Sequence, residues 1–216
     1  LKEFSYLNGL MEDDLDKAHI MKQKRHYTKY IDIIGKKKNR TIHDEVLLDL
    51  CKNEMESFKY NFNLIPINHQ ENIVSHIFDM TSGLGIYTFK TKKDYDNFLS
   101  KLKSYGGIID SIIRNMQKGI TIKYTHPKIL TEMLISQIQL LLKNKSYINK
   151  KITINLGYDF NSHSGNILVP HTERLLEFLK NKYLNKCRKS IGHGDLPGGK
   201  KEYKYLVSNS TNINFS

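Results

Sequence analysis

Apolar residues recur at three- and four-residue intervals along most of this chain, and that spacing predicts helices. The longest row is Tyr95, Phe98, Leu99, Leu102, Tyr105, Ile109, Ile112, Ile113 and Met116, one stripe over about six turns. Thr91 ahead of it suits an N-cap, with Asp94 three residues on as its capping partner. Gly106 and Gly107 should weaken or bend the middle of this helix, and Gly119 should stop it.

Pro127 suits the first turn of a second helix, with Ile129, Leu130, Met133, Leu134, Ile138, Leu141 and Leu142 on its core face. A third helix should start near Pro170, pack Leu175, Leu176, Leu179, Tyr183 and Leu184, and reach toward Arg188. Val46, Leu47, Leu50 and Met55 predict an earlier helix over residues 44–59. Residues 61–67 alternate weakly, but Pro66 argues against a central strand. The polar residues 143–165 form a long connection with one possible short strand at 151–155, and residues 196–206 open another helix. With no internal repeat and no sustained heptad, the expected architecture is mainly α. It is an irregular multi-helix array with long loops and at most one or two short strands, since a symmetric bundle would need shorter links. The chain is read as one helical domain over 1–216, with residues 1–42 as a helical, basic lead segment.

Composition narrows the classes. In 216 residues, 39% are hydrophobic and 26% charged, which suits a globular domain and not a disordered tail. No apolar run approaches the roughly 20 residues that span a bilayer. Residues 1–16 are acidic and mixed, unlike a secretory signal, so a cytoplasmic location without membrane attachment is expected. The chain starts with Leu, which suggests a fragment of a longer protein. The net charge of +12 invites a nucleic-acid reading, yet Arg appears only at 25, 40, 114, 174 and 188. Base readout and bidentate phosphate binding favour Arg, so nucleic acid is not the expected partner. The densest basic run, Gly35-Lys36-Lys37-Lys38-Asn39-Arg40, reads as a solvated loop, with a phosphate-binding patch as its alternative.

Candidate chemistry is sparse. Cys51 and Cys187 sit in helical apolar patterns and read as buried thiols. None of the nine histidines (His19, His26, His43, His69, His76, His126, His163, His171 and His193) pairs with another at helical i, i+4 spacing. His69 and His76 would lie about 10 Å apart on one helix, too far to share a metal. The chain contains no His-Glu dipeptide, no phosphate loop and no Gly-x-Ser-x-Gly turn, and Gly83-Leu84-Gly85 reads as a plain turn. The most glycine-dense stretch holds Gly192-His193-Gly194 and Pro197-Gly198-Gly199. It is either a helix stop followed by a loop, or a loop whose backbone must approach a ligand closely.

Three segments together carry a family resemblance: Leu64-Ile65-Pro66-Ile67-Asn68; Tyr87-Thr88-Phe89-Lys90-Thr91-Lys92-Lys93-Asp94-Tyr95, continuing through Leu99, Leu102 and Ile109 to the stretch from Arg114 to Gly119; and Ser190-Ile191-Gly192 followed by Leu196-Pro197-Gly198-Gly199 and Tyr203-Lys204-Tyr205-Leu206-Val207. In this order and spacing they resemble the bacterial family known as domain of unknown function 885, over about residues 43–212. The Pro-Gly-Gly-Lys stretch with its tyrosines is the most specific part.

That family is grouped with gluzincin-type zinc metallopeptidases. The resemblance therefore implies a mostly helical fold, peptide substrates and hydrolysis by a zinc-activated water. Its zinc motifs, a His-Glu pair with Pro-Gly-His and then Glu-Gly-Trp, are absent from a chain with no His-Glu pair and no Trp, so no catalytic or metal residue is assigned. What the resemblance implies here is the helical N-terminal portion of a zinc peptidase-like protein. It would form part of the substrate cleft wall, with the zinc expected in a complete family member and the missing C-terminal part as a partner. Gly198, Gly199, Lys200, Tyr203 and Tyr205 are the candidate substrate contacts: the glycines allow close approach, Lys200 and Lys201 can meet a carboxylate, and the tyrosines offer ring and hydroxyl. A structural turn with packed tyrosines is the alternative for that segment. The chain also departs from the family pattern. Ser210-Thr211-Asn212-Ile213 stands where the family has His-Thr-Thr-Thr, and His69 stands where it usually has Gln. A catalytically inactive helical binding or scaffold protein is the alternative those departures keep open.

Overall fold

The computed structural model describes residue 13 and residues 15–67, 91–144 and 160–211, apart from the side chains of residues 95, 98, 101 and 160–164. The possible strand at 151–155, the turn at 83–85, the histidines at 69 and 76, and the side chains of Tyr95, Phe98 and His163 lie outside them. Among the described residues the fold is mainly α with no strand, and its one β-type contact is an isolated parallel bridge between Pro127 and Arg188. No helix there is long and apolar enough to cross a membrane.

Among the described residues six α-helices carry the architecture: α1 (Lys17–Gly35), α2 (Ile42–Ser57), α3 (Lys92–Thr121), α4 (Lys128–Lys143), α5 (Phe160–Phe178) and α6 (Gly199–Thr211). Helix α3 starts where its cap chemistry dictates. The Thr91 hydroxyl accepts from the Asp94 backbone N–H, and the Asp94 carboxylate accepts from the Thr91 N–H in return. Its stripe is core as expected: Leu102, Tyr105, Ile109, Ile112 and Met116 are buried. They meet Leu168, Leu175, Phe178, Leu179 and Tyr183 from α5 and the π-helical turn Leu179–Tyr183 that follows it. Tyr105 places its hydroxyl 3.1 Å from Thr172 Oγ1. Thr172 spends its own proton on the Leu168 carbonyl, so Tyr105 is the donor.

Several expectations need correction. Helix α3 continues through Gly106 and Gly107 without a break, so the pair does not end it, whatever it costs the helix in stability. Gly106 faces α5, where an added Cβ would lie 2.6 Å from a ring carbon of His171. Gly119 does not stop the helix, which continues to Thr121. It is pinched instead, because a Cβ there would stand 2.4 Å from the Tyr124 carbonyl oxygen. Helix α5 begins at Phe160, ten residues before the expected start, with Pro170 inside it. The missing Pro170 N–H removes one backbone bond, but burial of Leu168, Thr172 and Leu175 along the same face outweighs that loss. Helical winding then ends at Lys186, short of Arg188. On α4 the buried row is Thr131, Leu134, Ile135, Ile138 and Leu141, while Ile129 and Met133 face solvent. On α2 the packed row is Leu48, Cys51 and the half-buried Met55, and Val46, Leu47 and Leu50 are exposed. Both helices carry two apolar rows, and periodicity alone does not say which one meets a neighbour.

The basic run after α1 is a loop, and it is tied down. Arg40 donates to the carbonyls of Ile34 and Gly35, closing the end of α1, and Lys37 pairs with Asp44 at 2.6 Å. Cys51 is buried, and Cys187 is half-buried with Sγ 3.2 Å from Thr131 Oγ1; burial raises its thiol pKa.

Candidate functional site

The glycine-dense stretch folds into a tight platform for α6. His193, Gly194 and Asp195 make one 3-10 turn. Leu196 then drops into a small cluster with Leu64 and Tyr124. Gly198 takes φ +77, a left-handed conformation that glycine adopts without cost. Gly199 presses on the His193 carbonyl oxygen, where a Cβ would lie only 2.0 Å away. The chain thus doubles back so that the first turn of α6 brings Glu202 inward, 3% exposed.

Three segments converge on that carboxylate. The Tyr124 hydroxyl donates to Glu202 Oε2 at 2.5 Å, His193 Nε2 lies 3.1 Å from the same oxygen, and the Asn61 backbone N–H donates to Oε1 at 3.4 Å. A buried carboxylate is stable only with such donors. Burial, and then the neighbouring Glu202, push the Tyr124 phenol far above its ordinary value. The group is therefore a carboxylate that orients an imidazole, with a neutral phenol fixed beside it. It does not fit a zinc ion: Glu202 and His193 give two ligands, the shared carboxylate oxygen is already engaged, and a catalytic zinc takes three protein ligands. Among the described residues no group of three or more His, Cys, Asp or Glu could hold a metal.

Behind this group lies an aromatic wall. The Tyr205 ring sits 4.8 Å from Tyr60 and 6.1 Å from Phe62, and its hydroxyl donates to the Asn53 carbonyl at 3.1 Å. Phe62 also lies 6.3 Å from His193. Tyr60, Asn61 and Phe62 in turn line a cleft of about 650 Å³ between the start of α1, the 57–63 turn and α3. The same cleft is lined by Phe58 and Ile20, by Gln23 and Asn63, and by Lys17, Lys24, Arg114 and Lys118.

The predicted contact residues are placed differently from one another. Gly198 shapes the turn, and Gly199 is buried beneath it. Lys200 is exposed and Tyr203 is 57% exposed, whereas Tyr205 is half-buried in the aromatic wall. Glu202, Tyr124 and Asn61 were not singled out by the sequence, and His193 appeared only as one of nine histidines. A glutamate in a first helical turn ordinarily signals favourable interaction with the helix dipole, so nothing local marks Glu202 as buried.

A second buried polar knot lies at the α3–α4 turn. Tyr183 Oη accepts from the His126 N–H at 2.8 Å, and Arg188 donates to the Thr125 carbonyl at 3.0 Å. Burial, and then Arg188, lower the His126 imidazole to about 4.

A sequence model of a bacterial family of unknown function, DUF885, matches residues 6–216. No curated protein and no solved structure matches the chain.

Proposed function

This chain belongs to the bacterial DUF885 family of proteins of unknown function, and from that premise we propose that it forms the helical wall of a peptide-binding cleft in a zinc peptidase-like protein. The observation that carries this reading is the seat of Tyr205. Tyr205, in the helix that follows the Pro-Gly-Gly turn, stacks on Phe62 and packs at a tilt against Tyr60, and those two rings line the 650 Å³ cleft. A peptide presents alternating donors, acceptors and side chains. The cleft offers amide groups at Gln23, Asn61 and Asn63 that can both donate and accept, beside rings that take apolar side chains. In this reading Gly199 and Glu202 hold the wall in place, and Lys200 and Tyr203 are its exposed outer contacts. The zinc and its water-activating chemistry belong to motifs that the described residues do not contain. What these residues supply is binding and orientation of the peptide.

Fluorescence anisotropy of labelled, unstructured peptides titrated with this chain tests the reading. Saturable binding that weakens about tenfold in Phe62→Ala, with the circular dichroism melt of the variant recorded alongside, is the expected result. Absence of binding to a diverse peptide set up to about 1 mM protein would remove it.

A further inference from the structure

The charges of the cleft point to the kind of peptide it takes. Among the described residues its lining carries four cationic side chains, Lys17, Lys24, Arg114 and Lys118, against one acid, Asp16. That acid is already committed. Asp16 Oδ2 accepts from the Ala18 N–H as the α1 N-cap, and its Oδ1 lies 3.6 Å from Arg114. The nearby Asp13 accepts from the Ser111 hydroxyl and from the Leu15 N–H. Lys17, Lys24 and Lys118 have no acidic partner among the described residues. Lys24 is held with its ammonium 5.1 Å over the Phe58 ring, so one cation is positioned at the wall.

The spacing of these cations matters as much as their number. Arg114 and Lys118 are four residues apart on α3, one turn, and stand about 6 Å apart along its axis. Lys17 and Lys24 are seven residues apart on α1 and stand about 10 Å apart on the facing wall. In an extended peptide, side chains two residues apart share a face at about 6.6 Å. Two carboxylates at alternate positions would therefore meet Arg114 and Lys118 together, with Lys24 opposite.

We propose that this cleft selects extended, acidic peptide segments, the carboxylates of alternate residues meeting Arg114 and Lys118 on one wall while Lys17 and Lys24 across the cleft add attraction for the segment's negative charge. The inference rests on the peptide-cleft reading above and names its substrate class.

A labelled twelve-residue peptide with Glu at every second position, and the same peptide with Gln in those places, form the test pair. The acidic peptide should bind about tenfold more tightly at low salt, and the gap should close in about 0.5 M NaCl, where screening acts within a few ångströms. The chain is basic overall, so a charge-matched comparison is needed. The double variant Lys24→Gln and Lys118→Gln should lose most of the preference. The variant Lys36→Gln and Lys38→Gln, which removes the same charge from the loop after α1, should keep it. Equal losses in the two variants would overturn the proposal, as would equal binding of the two peptides. The second outcome leaves the peptide cleft itself standing. If neither peptide binds, the peptide-cleft reading fails and this inference fails with it.

Discussion

The Tyr124 hydroxyl donates a hydrogen bond to Oε2 of Glu202 although 78 residues separate them, and it joins the turn after α3 to the last helix. Both groups are buried, so neither can exchange its partner for water. A hydrogen bond to a buried charge contributes about 1.5–3 kcal/mol. Tyr124→Phe should therefore destabilise the fold by roughly that amount, read as a lower urea midpoint at unchanged m-value. A loss below about 0.5 kcal/mol would show that His193 and the Asn61 N–H satisfy Glu202 without the phenol. The same residue sets an alkaline limit. Burial raises the phenols of Tyr105, Tyr124 and Tyr183 above their ordinary value of 10. The unfolded chain then ionises first, so the stability these phenols contribute is whole below pH 10 and falls as pH climbs beyond it.

Two glycines should respond in opposite directions to the same substitution. Gly199→Ala drives a methyl into the backbone oxygen of His193, which only a shift of the main chain can relieve. It should cost about 1–3 kcal/mol and lower the melting temperature. Gly107 is exposed within α3, with nothing within 4 Å of an added Cβ, so Gly107→Ala should stabilise by about 0.5–1 kcal/mol. Differential scanning calorimetry of the pair decides it, and a shift of the same sign in both would contradict the geometry.

Leu102 is completely buried in the α3–α5 core. Leu102→Ala should cost about 2–5 kcal/mol, the range for an aliphatic side chain removed from a packed interior. Met133→Ala on α4 makes the contrast. That side chain is largely exposed, and its loss should stay within about 0.5 kcal/mol by chemical denaturation. Comparable losses at the two sites would mean that the α4 face is covered.

These contrasts show where the sequence was legible. Caps are local chemistry: Thr91 with Asp94 is readable from four residues, and the helix starts there. The α3 stripe is readable because one apolar row dominates thirty residues. On α2 and α4 two rows compete, and the neighbour that chooses between them is set by tertiary packing. Pro170 misled because a proline marks a first turn by local rules, whereas here the α5 face buries Leu168 on one side of it and Thr172 on the other. The Glu202 group was illegible for a further reason. Its donors come from positions 61, 124 and 193, and no periodicity links such distant positions. The family resemblance drew attention to the Pro-Gly-Gly stretch, but only the fold shows that Tyr205 packs against Tyr60 and Phe62, two rings that line the cleft.

His126 makes the acid side of stability testable. It is buried at the α3–α4 turn, its backbone N–H donating to the Tyr183 hydroxyl and its ring Nε2 without a partner among the described residues. Burial, with Arg188 adding to it, holds the imidazole at about 4 against an ordinary 6.5. Between those values the unfolded chain binds a proton that the folded chain refuses. The stability from keeping this imidazole neutral is therefore present above pH 6.5 and is lost as pH falls toward 4. One proton corresponds to a slope of up to about 1.4 kcal/mol per pH unit in that window. The contribution of this one group is isolated by difference. Urea unfolding of the wild type and of His126→Asn at pH 7, 6 and 5 should give a shallower acid decline for the variant, which also starts less stable at pH 7 for want of the packed ring. Parallel declines would mean that His126 is protonated in the folded chain as readily as in the unfolded one, and that the buried knot with Tyr183 and Arg188 opens to water before pH 5.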